Sequence, residues 1–170
     1  CCTVLATLDP IAQALQLAQS AKNLTSPNPR VGCVLISAQG QIIGQGHTQA
    51  AGGPHAEVMA IRDAAAKGPS TQGATAYVTL EPCSHLGRTG PCCDALIKAG
   101  IRRVVASLPD PNPLVAGQGF ERLRDAGIDV ELGPGGEASR ELNIGFFSRM
   151  LRKTPWVRMK IAASLDGKTA

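Results

Sequence analysis

Residues 54–57 of this chain read Pro-His-Ala-Glu, and residues 81–92 read Glu-Pro-Cys-Ser-His-Leu-Gly-Arg-Thr-Gly-Pro-Cys. Together they supply an imidazole, two thiols and a carboxylate two residues after the imidazole. Three protein ligands on a tetrahedral zinc ion leave the fourth position for water, and a nearby carboxylate can move the protons of that water. The two stretches therefore predict a catalytic zinc site. The predicted ligands are His55, Cys83 and Cys92, and the predicted proton carrier is Glu57.

The position of His55 relative to its helix is a condition of this prediction. Residues two apart in mid-helix point to different faces, so His55 could not bind a metal there while Glu57 served its water. The helix must therefore begin at His55 or within one residue of it. Pro54 supports such a start, because proline is tolerated in the first turn of a helix. The alternative is an ordinary polar helix start with an incidental histidine.

The cysteines favour zinc over that alternative. Cys83 follows a predicted strand, and Cys92 begins a predicted helix, whose N-terminus favours the thiolate that zinc binds. Buried structural thiols are the competing interpretation. Cys93 competes with Cys92 as a ligand, although Pro91 directly before Cys92 favours the latter. Cys33 lies within a predicted strand and is assigned to the core.

Length and composition limit the class of protein. The chain has 170 residues, 44% hydrophobic and 18% charged, as expected for a compact domain. Aromatic residues make up 3%, which disfavours a base-stacking surface, so we expect no nucleic-acid partner. The net charge of +4 suits an anionic small molecule about as well as nucleic acid. No apolar run is long enough for a membrane helix, and six cysteines without a secretory signal indicate reduced thiols in a cytoplasmic chain.

Helical and strand patterns alternate along the chain, which is typical of an α/β architecture. The predicted strands cover residues 31–36, 42–47, 74–80, 103–108 and 128–132, and the first two should form an antiparallel hairpin. The predicted helices are one that begins after Asp9 and others over residues 55–67, 91–99, 120–126 and 136–152. Residues 156–163 are predicted as a last strand with nothing after it to pair with, as at the entrance to a second domain.

Residues 81–92 resemble the motif of the pyrimidine deaminase domain of bacterial riboflavin biosynthesis, within the cytidine deaminase-like superfamily. The resemblance extends in the same order to Asn28-Pro29-Arg30-Val31-Gly32, His55-Ala56-Glu57-Val58 and Asp110-Pro111-Asn112-Pro113. It covers nearly the whole chain and implies a three-layer α/β/α fold with a central mixed sheet. It assigns residues 1–152 to the zinc-dependent deaminase domain, and residues 153–170 to a linker and the first strand of a truncated reductase domain.

The resemblance also implies a substrate, cofactors and further site residues. The substrate would be a diaminopyrimidinone with a ribosylamino 5′-phosphate, which is hydrolysed to the dione with loss of ammonia. The cofactor would be one zinc ion per chain. NADPH would be needed only in a full-length protein with the reductase domain in cis, and a homo-oligomer is compatible with the sequence. The forked donors of Arg88 suit a phosphate group. The implied substrate-binding residues are Asn28, His85, Arg88, Asp110 and Asn112. Glu81 is assigned a structural role.

Two alternatives stay open at this point. Nucleoside and tRNA deaminases share the His-x-Glu core but usually keep a short Pro-Cys-x-x-Cys spacing, whereas eight residues separate Cys83 from Cys92 here. In a non-catalytic module, zinc would only stabilise the fold, and Cys93 or His85 would have to complete four protein ligands.

Two positions depart from the family pattern. Gly90 stands where many relatives have a proline. Thr48 stands where many relatives have a histidine, seven residues before the zinc histidine, and His47 lies one residue earlier.

Overall fold

The computed structural model of the protein describes residues 9–85, 90–113 and 115–169. The strands are β1 (Gly32–Ile36), β2 (Ile42–His47), β3 (Thr75–Val78), β4 (Arg103–Ala106) and β5 (Asp129–Leu132). The helices are α1 (Pro10–Ser20), α2 (Ala56–Lys67), α3 (Cys92–Lys98), α4 (Gln118–Asp125), α5 (Gly136–Leu142) and α6 (Ile144–Phe147), followed by a π-helical turn, Ser148–Arg152. No helix among these is both long and apolar enough to cross a membrane.

The five strands form one mixed sheet in the order β2-β1-β3-β4-β5. β1 pairs antiparallel with both β2 and β3, whereas β3, β4 and β5 run parallel to one another. The predicted hairpin and mixed sheet are confirmed. The loops that follow the carboxyl ends of β3 and β4 contain Cys83 and Asp110, at the edge where open α/β sheets usually bind ligands.

Helices cover both faces of the sheet. α1 packs against β1, β2 and β3, and α5 lies beside it. α2 also packs against the sheet; it contacts α3, and α3 contacts α4. Two neighbouring residues of β1 face opposite sides of the sheet and show which helix covers each side. A Cβ at Gly32 would meet Ala14 and Ala18 of α1, while the buried Cys33 belongs to the core that contains Ala60 of α2. The predicted three-layer α/β/α architecture is confirmed.

Glycines and alanines bring α2 close to β2. A Cβ at Gly46 would lie 2.5 Å from the carbonyl oxygen of Ala56 and from the nitrogen of Ala60, and one at Gly44 would lie 2.2 Å from the carbonyl oxygen of Ala60. On the helix, the residues that form this contact are Ala56, Ala60 and Ala64, which are fully buried. Because Ala56 is the first residue of α2, the contact at Gly46 also fixes where the helix begins.

The predicted single helix over residues 136–152 is wrong. α5 ends at Leu142, and Asn143 departs from helical geometry with φ −112° and ψ 20° before α6 begins. The buried Asn143 side chain accepts from the backbone N–H of Arg30 at 2.7 Å, and it donates to the carbonyl oxygens of Arg30 and Ser139. These bonds compete with regular helix geometry and fasten the C-terminal helices to the loop before β1.

The predicted strand at residues 156–163 is also wrong. Residues 155–162 pair with no strand of the described chain, and a single bridge joins Ala163 to Thr169. A strand is stable only where a neighbour takes up its backbone hydrogen bonds. The apolar side chains of the segment stay exposed, as at Val157, which is 78% exposed.

Substituting Gly46 with alanine tests the contact between α2 and β2. We expect Gly46→Ala to lower the free energy of unfolding by about 1–3 kcal/mol, since the added methyl group overpacks against backbone atoms. Urea denaturation at equilibrium measures this change. Gly145→Ala in α6 is the control, because a Cβ there meets nothing within 4 Å. A Gly46→Ala protein as stable as this control would contradict the close packing.

Candidate metal centre

α2 begins directly after His55. The His55 backbone is extended, with φ −78° and ψ 171°, and its carbonyl oxygen accepts a helical hydrogen bond from the Met59 N–H at 3.1 Å. Ala56 is the first helical residue, and Glu57 lies in the first turn. The helix therefore begins within one residue of His55, as the predicted zinc site requires.

Backbone hydrogen bonds hold Cys83 and Cys92 together. Cys83 lies in the loop after β3, and Cys92 is the first residue of α3. The N–H of Cys93 donates to the Cys83 carbonyl oxygen at 3.2 Å, and the N–H of Cys92 donates to the Cys83 sulfur at 3.4 Å. The first N–H group of α3 thus supports a thiolate at Cys83, and the second holds the Cys83 backbone in place.

The three donor atoms have the spacing of ligands around one zinc ion. Nδ1 of His55 lies 3.5 Å from the sulfur of Cys83 and 3.3 Å from the sulfur of Cys92. At usual Zn–N and Zn–S bond lengths, two tetrahedral ligand atoms lie about 3.5 Å apart. Among the described residues, His55, Cys83 and Cys92 form the one group of possible metal ligands whose donor atoms all lie within 4.8 Å of one another. The donor set fits zinc and leaves one tetrahedral position for a non-protein ligand.

Cys93 points away from this group. Its buried sulfur donates to the carbonyl oxygens of Pro82 at 3.3 Å and Gly119 at 3.5 Å. Burial raises the pKa of the Cys93 thiol to about 12. The sulfur of Cys92 lies 3.3 Å from Nδ1 of His55, whereas that of Cys93 is bonded elsewhere, so the geometry favours Cys92 as the ligand.

Hydrogen bonds favour the thiolate form of Cys83. The thiol of Cys92 donates to the sulfur of Cys83. Together with the hydrogen bonds from His55 and the Cys92 N–H, this bond lowers the pKa of Cys83 to about 4, although burial acts in the opposite direction. The same bond raises the pKa of Cys92, whose proton it holds. The hydrogen bond with Cys83 also raises the pKa of His55. Metal binding to this group would be coupled to proton release, because coordinated thiols are deprotonated.

Glu57 is a buried carboxyl group with an unpaired oxygen. The residue is 3% exposed, and Oε2 has no hydrogen-bond partner among the described residues. Burial, with a smaller contribution from the negative charge of Cys83, raises the pKa of Glu57 to about 7. A carboxyl group that titrates near neutrality can both accept and donate a proton. An unpaired buried oxygen is costly to the fold, and it indicates where a polar atom of a ligand belongs.

His55, Glu57 and Cys83 line a cavity of about 450 Å³. Four predicted substrate-binding residues line the same cavity: Asn28, His85, Asp110 and Asn112. The fifth, Arg88, lies outside the described residues. Burial raises the pKa of Asp110, and the Asn112 N–H, which donates to its Oδ1 at 2.8 Å, opposes that rise.

The hydroxyl group of Thr48 is used by the backbone. Thr48 lines the cavity, but its Oγ1 accepts from the Val31 N–H at 3.2 Å and lies 3.4 Å from the Val31 carbonyl oxygen, to which it donates. Thr48, which stands where many relatives have a histidine, therefore holds the start of β1 next to the cavity.

The buried carboxylate of Glu81 holds the far wall of the cavity in place. Its Oε2 accepts from the N–H groups of Asp110 at 2.9 Å and Gly117 at 3.0 Å. Its Oε1 accepts from Gly119 at 2.9 Å and Phe120 at 3.4 Å. Such charge-assisted bonds are stronger than neutral ones. These bonds define the structural role predicted for Glu81. Its side chain joins the loop of Cys83 to the loop of Asp110 and to the start of α4.

The cavity residues that come from the C-terminal helices were not predicted from the sequence. Phe146, Arg149 and Met150 belong to α6 and the π-helical turn, and they reach the cavity from a segment about 90 residues beyond His55. No motif marks them, because their position depends on the packing of the C-terminal helices.

Comparison with known families identifies the class of this site. The model of the cytidine and deoxycytidylate deaminase zinc-binding region matches residues 8–108, which include all three candidate ligands and Glu57. The match covers more than half of the chain. The chain therefore belongs to the cytidine and deoxycytidylate deaminase family.

Riboflavin-biosynthesis proteins are similar to nearly the whole chain. RibD of Escherichia coli K12 is 57% identical over 160 residues, which are 94% of this chain and 42% of that protein. The solved structure of Acinetobacter baumannii RibD matches with a TM-score of 0.88 and 52% identity, over 95% of this chain and 44% of that one. The family resemblance seen in the sequence is confirmed.

A solved Thermotoga maritima structure is similar to the same extent. It is described as a diaminohydroxyphosphoribosylaminopyrimidine deaminase and 5-amino-6-(5-phosphoribosylamino)uracil reductase. It matches with a TM-score of 0.87 and 43% identity, over 94% of this chain and 45% of that one. The chain thus spans less than half the length of each of these relatives.

Zinc content of serine variants tests which thiols are ligands. We expect about one zinc ion per wild-type chain and loss of zinc in Cys83→Ser and Cys92→Ser, because a hydroxyl is a poor zinc ligand. Cys93→Ser is the matched control and should keep its zinc, since a hydroxyl can donate to the same two carbonyl oxygens. Mass spectrometry of the dialysed proteins measures the metal. Zinc retained in Cys92→Ser but lost in Cys93→Ser would contradict the assignment.

Glu81→Gln tests the hydrogen bonds that hold the cavity wall. The amide group offers one acceptor oxygen in place of two, so buried N–H groups lose their partner. We expect the free energy of unfolding to fall by about 3 kcal/mol or more. Glu121→Gln, in the first turn of α4 and exposed, is the control and should change stability by about 0.5 kcal/mol at most. Equal denaturation midpoints for the two variants would refute the role of Glu81.

Proposed function

We propose that the chain is a zinc-dependent hydrolytic deaminase of riboflavin biosynthesis. The substrate is 2,5-diamino-6-ribosylamino-4(3H)-pyrimidinone 5′-phosphate, and the products are 5-amino-6-ribosylamino-2,4-pyrimidinedione 5′-phosphate and ammonia. The observation that carries this proposal is the buried Glu57, whose Oε2 is unpaired beside three donor atoms with zinc-ligand spacing. The similarity to RibD proteins over most of the chain supports the choice of substrate.

In the proposed reaction, protein groups position the substrate and move protons. His55, Cys83 and Cys92 would hold zinc, and a zinc ion there would supply a polarised water for attack on the ring carbon that carries the amino group. Glu57 takes a proton from the water at Oε2 and delivers it to the departing nitrogen. Burial raises the pKa of Glu57 above its usual range, which favours a carboxyl group that can both take up and release a proton. The ring carbon gains an oxygen and loses ammonia, so the step needs no oxidant.

The lining of the cavity supports the proposed substrate contacts. We assign the edge of the pyrimidine ring to the amide of Asn28, and polar groups of the ring or ribose to Asp110 and Asn112. His85 and Arg88 are assigned to the ribose-phosphate part. All of these except Arg88, which the structure does not describe, line the cavity that contains Glu57.

The C-terminal segment fits a connection to a second domain. We propose that residues 1–152 form the deaminase domain, and that residues 153–170 lead into a reductase domain that uses NADPH. Exposed apolar side chains in this segment support the proposal: Val157, Met159, Ile161 and Leu165. The reductase activity in the description of the T. maritima protein agrees with it.

Glu57→Gln tests the proton-transfer role. The variant should keep about one zinc ion and lose turnover by at least about a hundredfold, because an amide cannot carry the proton. Ammonia release is measured from the diaminopyrimidinone phosphate, cytidine and adenosine, and we expect release by the wild type from the first alone.

Other outcomes have definite meanings. Turnover retained in Glu57→Gln would rule out the mechanism, and zinc lost in this variant would make Glu57 a ligand. Release from cytidine or adenosine in place of the pyrimidinone would assign the chain to a different deaminase. Bound zinc without any turnover would leave the structural-zinc alternative.

A further inference from the structure

We propose that Arg149 binds the phosphate group of the substrate at the rim of the metal cavity, an inference that rests on the deaminase function proposed above. Arg149 is exposed and belongs to the π-helical turn Ser148–Arg152. Turns of this kind are rare in proteins and are frequent at functional sites. Arg149 lines the cavity that contains His55 and Glu57, and it is the one lysine or arginine among the described lining residues.

Two contacts hold the guanidinium group in place. Its Nη2 donates to the carbonyl oxygen of Pro27 at 3.0 Å, and its central carbon lies 5.7 Å from the ring centre of Phe146. Pro27 and Phe146 line the cavity as well. The bond to Pro27 uses one of the five N–H donors of the guanidinium, whose fork suits two phosphate oxygens at once. The side chain is therefore oriented at the rim before a substrate arrives.

Arg149 also lines a second depression of about 290 Å³. The two cavities share Pro27, Asn28, Phe146 and Arg149. A substrate with its pyrimidine ring at Glu57 and its ring edge at Asn28 can direct its ribosyl phosphate toward this shared boundary. Arg149 then meets the end of the substrate that is opposite to the reacting carbon.

The carboxyl groups in the metal cavity favour such a cation at its rim. Three carboxyl groups line the cavity, those of Glu57, Glu81 and Asp110. A phosphate monoester carries close to two negative charges at neutral pH and would be repelled by them. Arg149 offsets that repulsion at the rim.

Arg149→Gln tests the proposal through substrate preference. We compare kcat/KM for the phosphorylated substrate and for the same compound without its phosphate. The preference for the phosphorylated compound should fall by about ten- to a hundredfold in the variant, mainly through KM, because charge-assisted bonds to the phosphate are lost. The value for the unphosphorylated compound should fall much less than that for the phosphorylated one. Arg149→Lys should restore part of the preference.

Arg152→Gln is the matched control. It removes the same charge three residues away, and Arg152 is exposed and lines a groove outside the metal cavity. We expect its preference for the phosphorylated compound to equal that of the wild type. Calorimetric titration with ribose 5-phosphate gives a second readout, in which Arg149→Gln should bind more weakly than the wild type and Arg152→Gln equally well.

The outcomes separate this inference from the function on which it rests. If the wild type releases ammonia from the phosphorylated substrate but Arg149→Gln keeps the full preference, the inference fails and the deaminase function stands. An equal loss for both compounds would make Arg149 merely structural. If the wild type acts on neither compound, the proposed function fails and the inference fails with it.

Discussion

The approach of α2 to β2 across Gly44 and Gly46 is the contact on which the metal centre depends. Backbone atoms of Ala56 and Ala60 occupy the space where side chains on those glycines would lie. The start of α2 is thereby fixed against the sheet, and His55 comes to lie beside the loop after β3. A shift of α2 by about 1 Å would be large against the tolerance of zinc–ligand distances. Packing between small residues therefore sets the geometry of the donor atoms.

Two buried glutamates near this centre have opposite surroundings, and the difference separates their roles. Glu81 accepts hydrogen bonds from four backbone N–H groups and thereby fixes the loops around the cavity. Glu57 is equally buried, but its Oε2 has no partner among the described residues and its pKa is raised to about 7. A carboxylate that accepts from several backbone N–H groups is held in a structural role, whereas a buried carboxyl group with an unpaired oxygen and a raised pKa is suited to proton transfer.

The parts of the site that depend on local sequence could be predicted, and those that depend on distant contacts could not. Pro54 before His55 predicted where α2 begins, the order of strands and helices predicted an α/β architecture, and the family resemblance implied its three layers. The break at Asn143 follows from hydrogen bonds to Arg30, 113 residues earlier in the chain, and no local pattern announces it. Arg149 reaches the cavity only because of that packing. The strand predicted at residues 156–163 lacks a partner among the described residues, which an alternating pattern alone cannot show.

The central claim is a zinc ion with three protein ligands and one open position, served by Glu57. X-ray absorption spectroscopy at the zinc edge of the purified protein tests it most directly. The account predicts two sulfur atoms at about 2.3 Å, one histidine nitrogen and one further light atom at about 2.0–2.1 Å, the latter from water. A zinc ion with four protein ligands, such as three sulfurs and one nitrogen, would contradict the account and leave a site that only stabilises the fold.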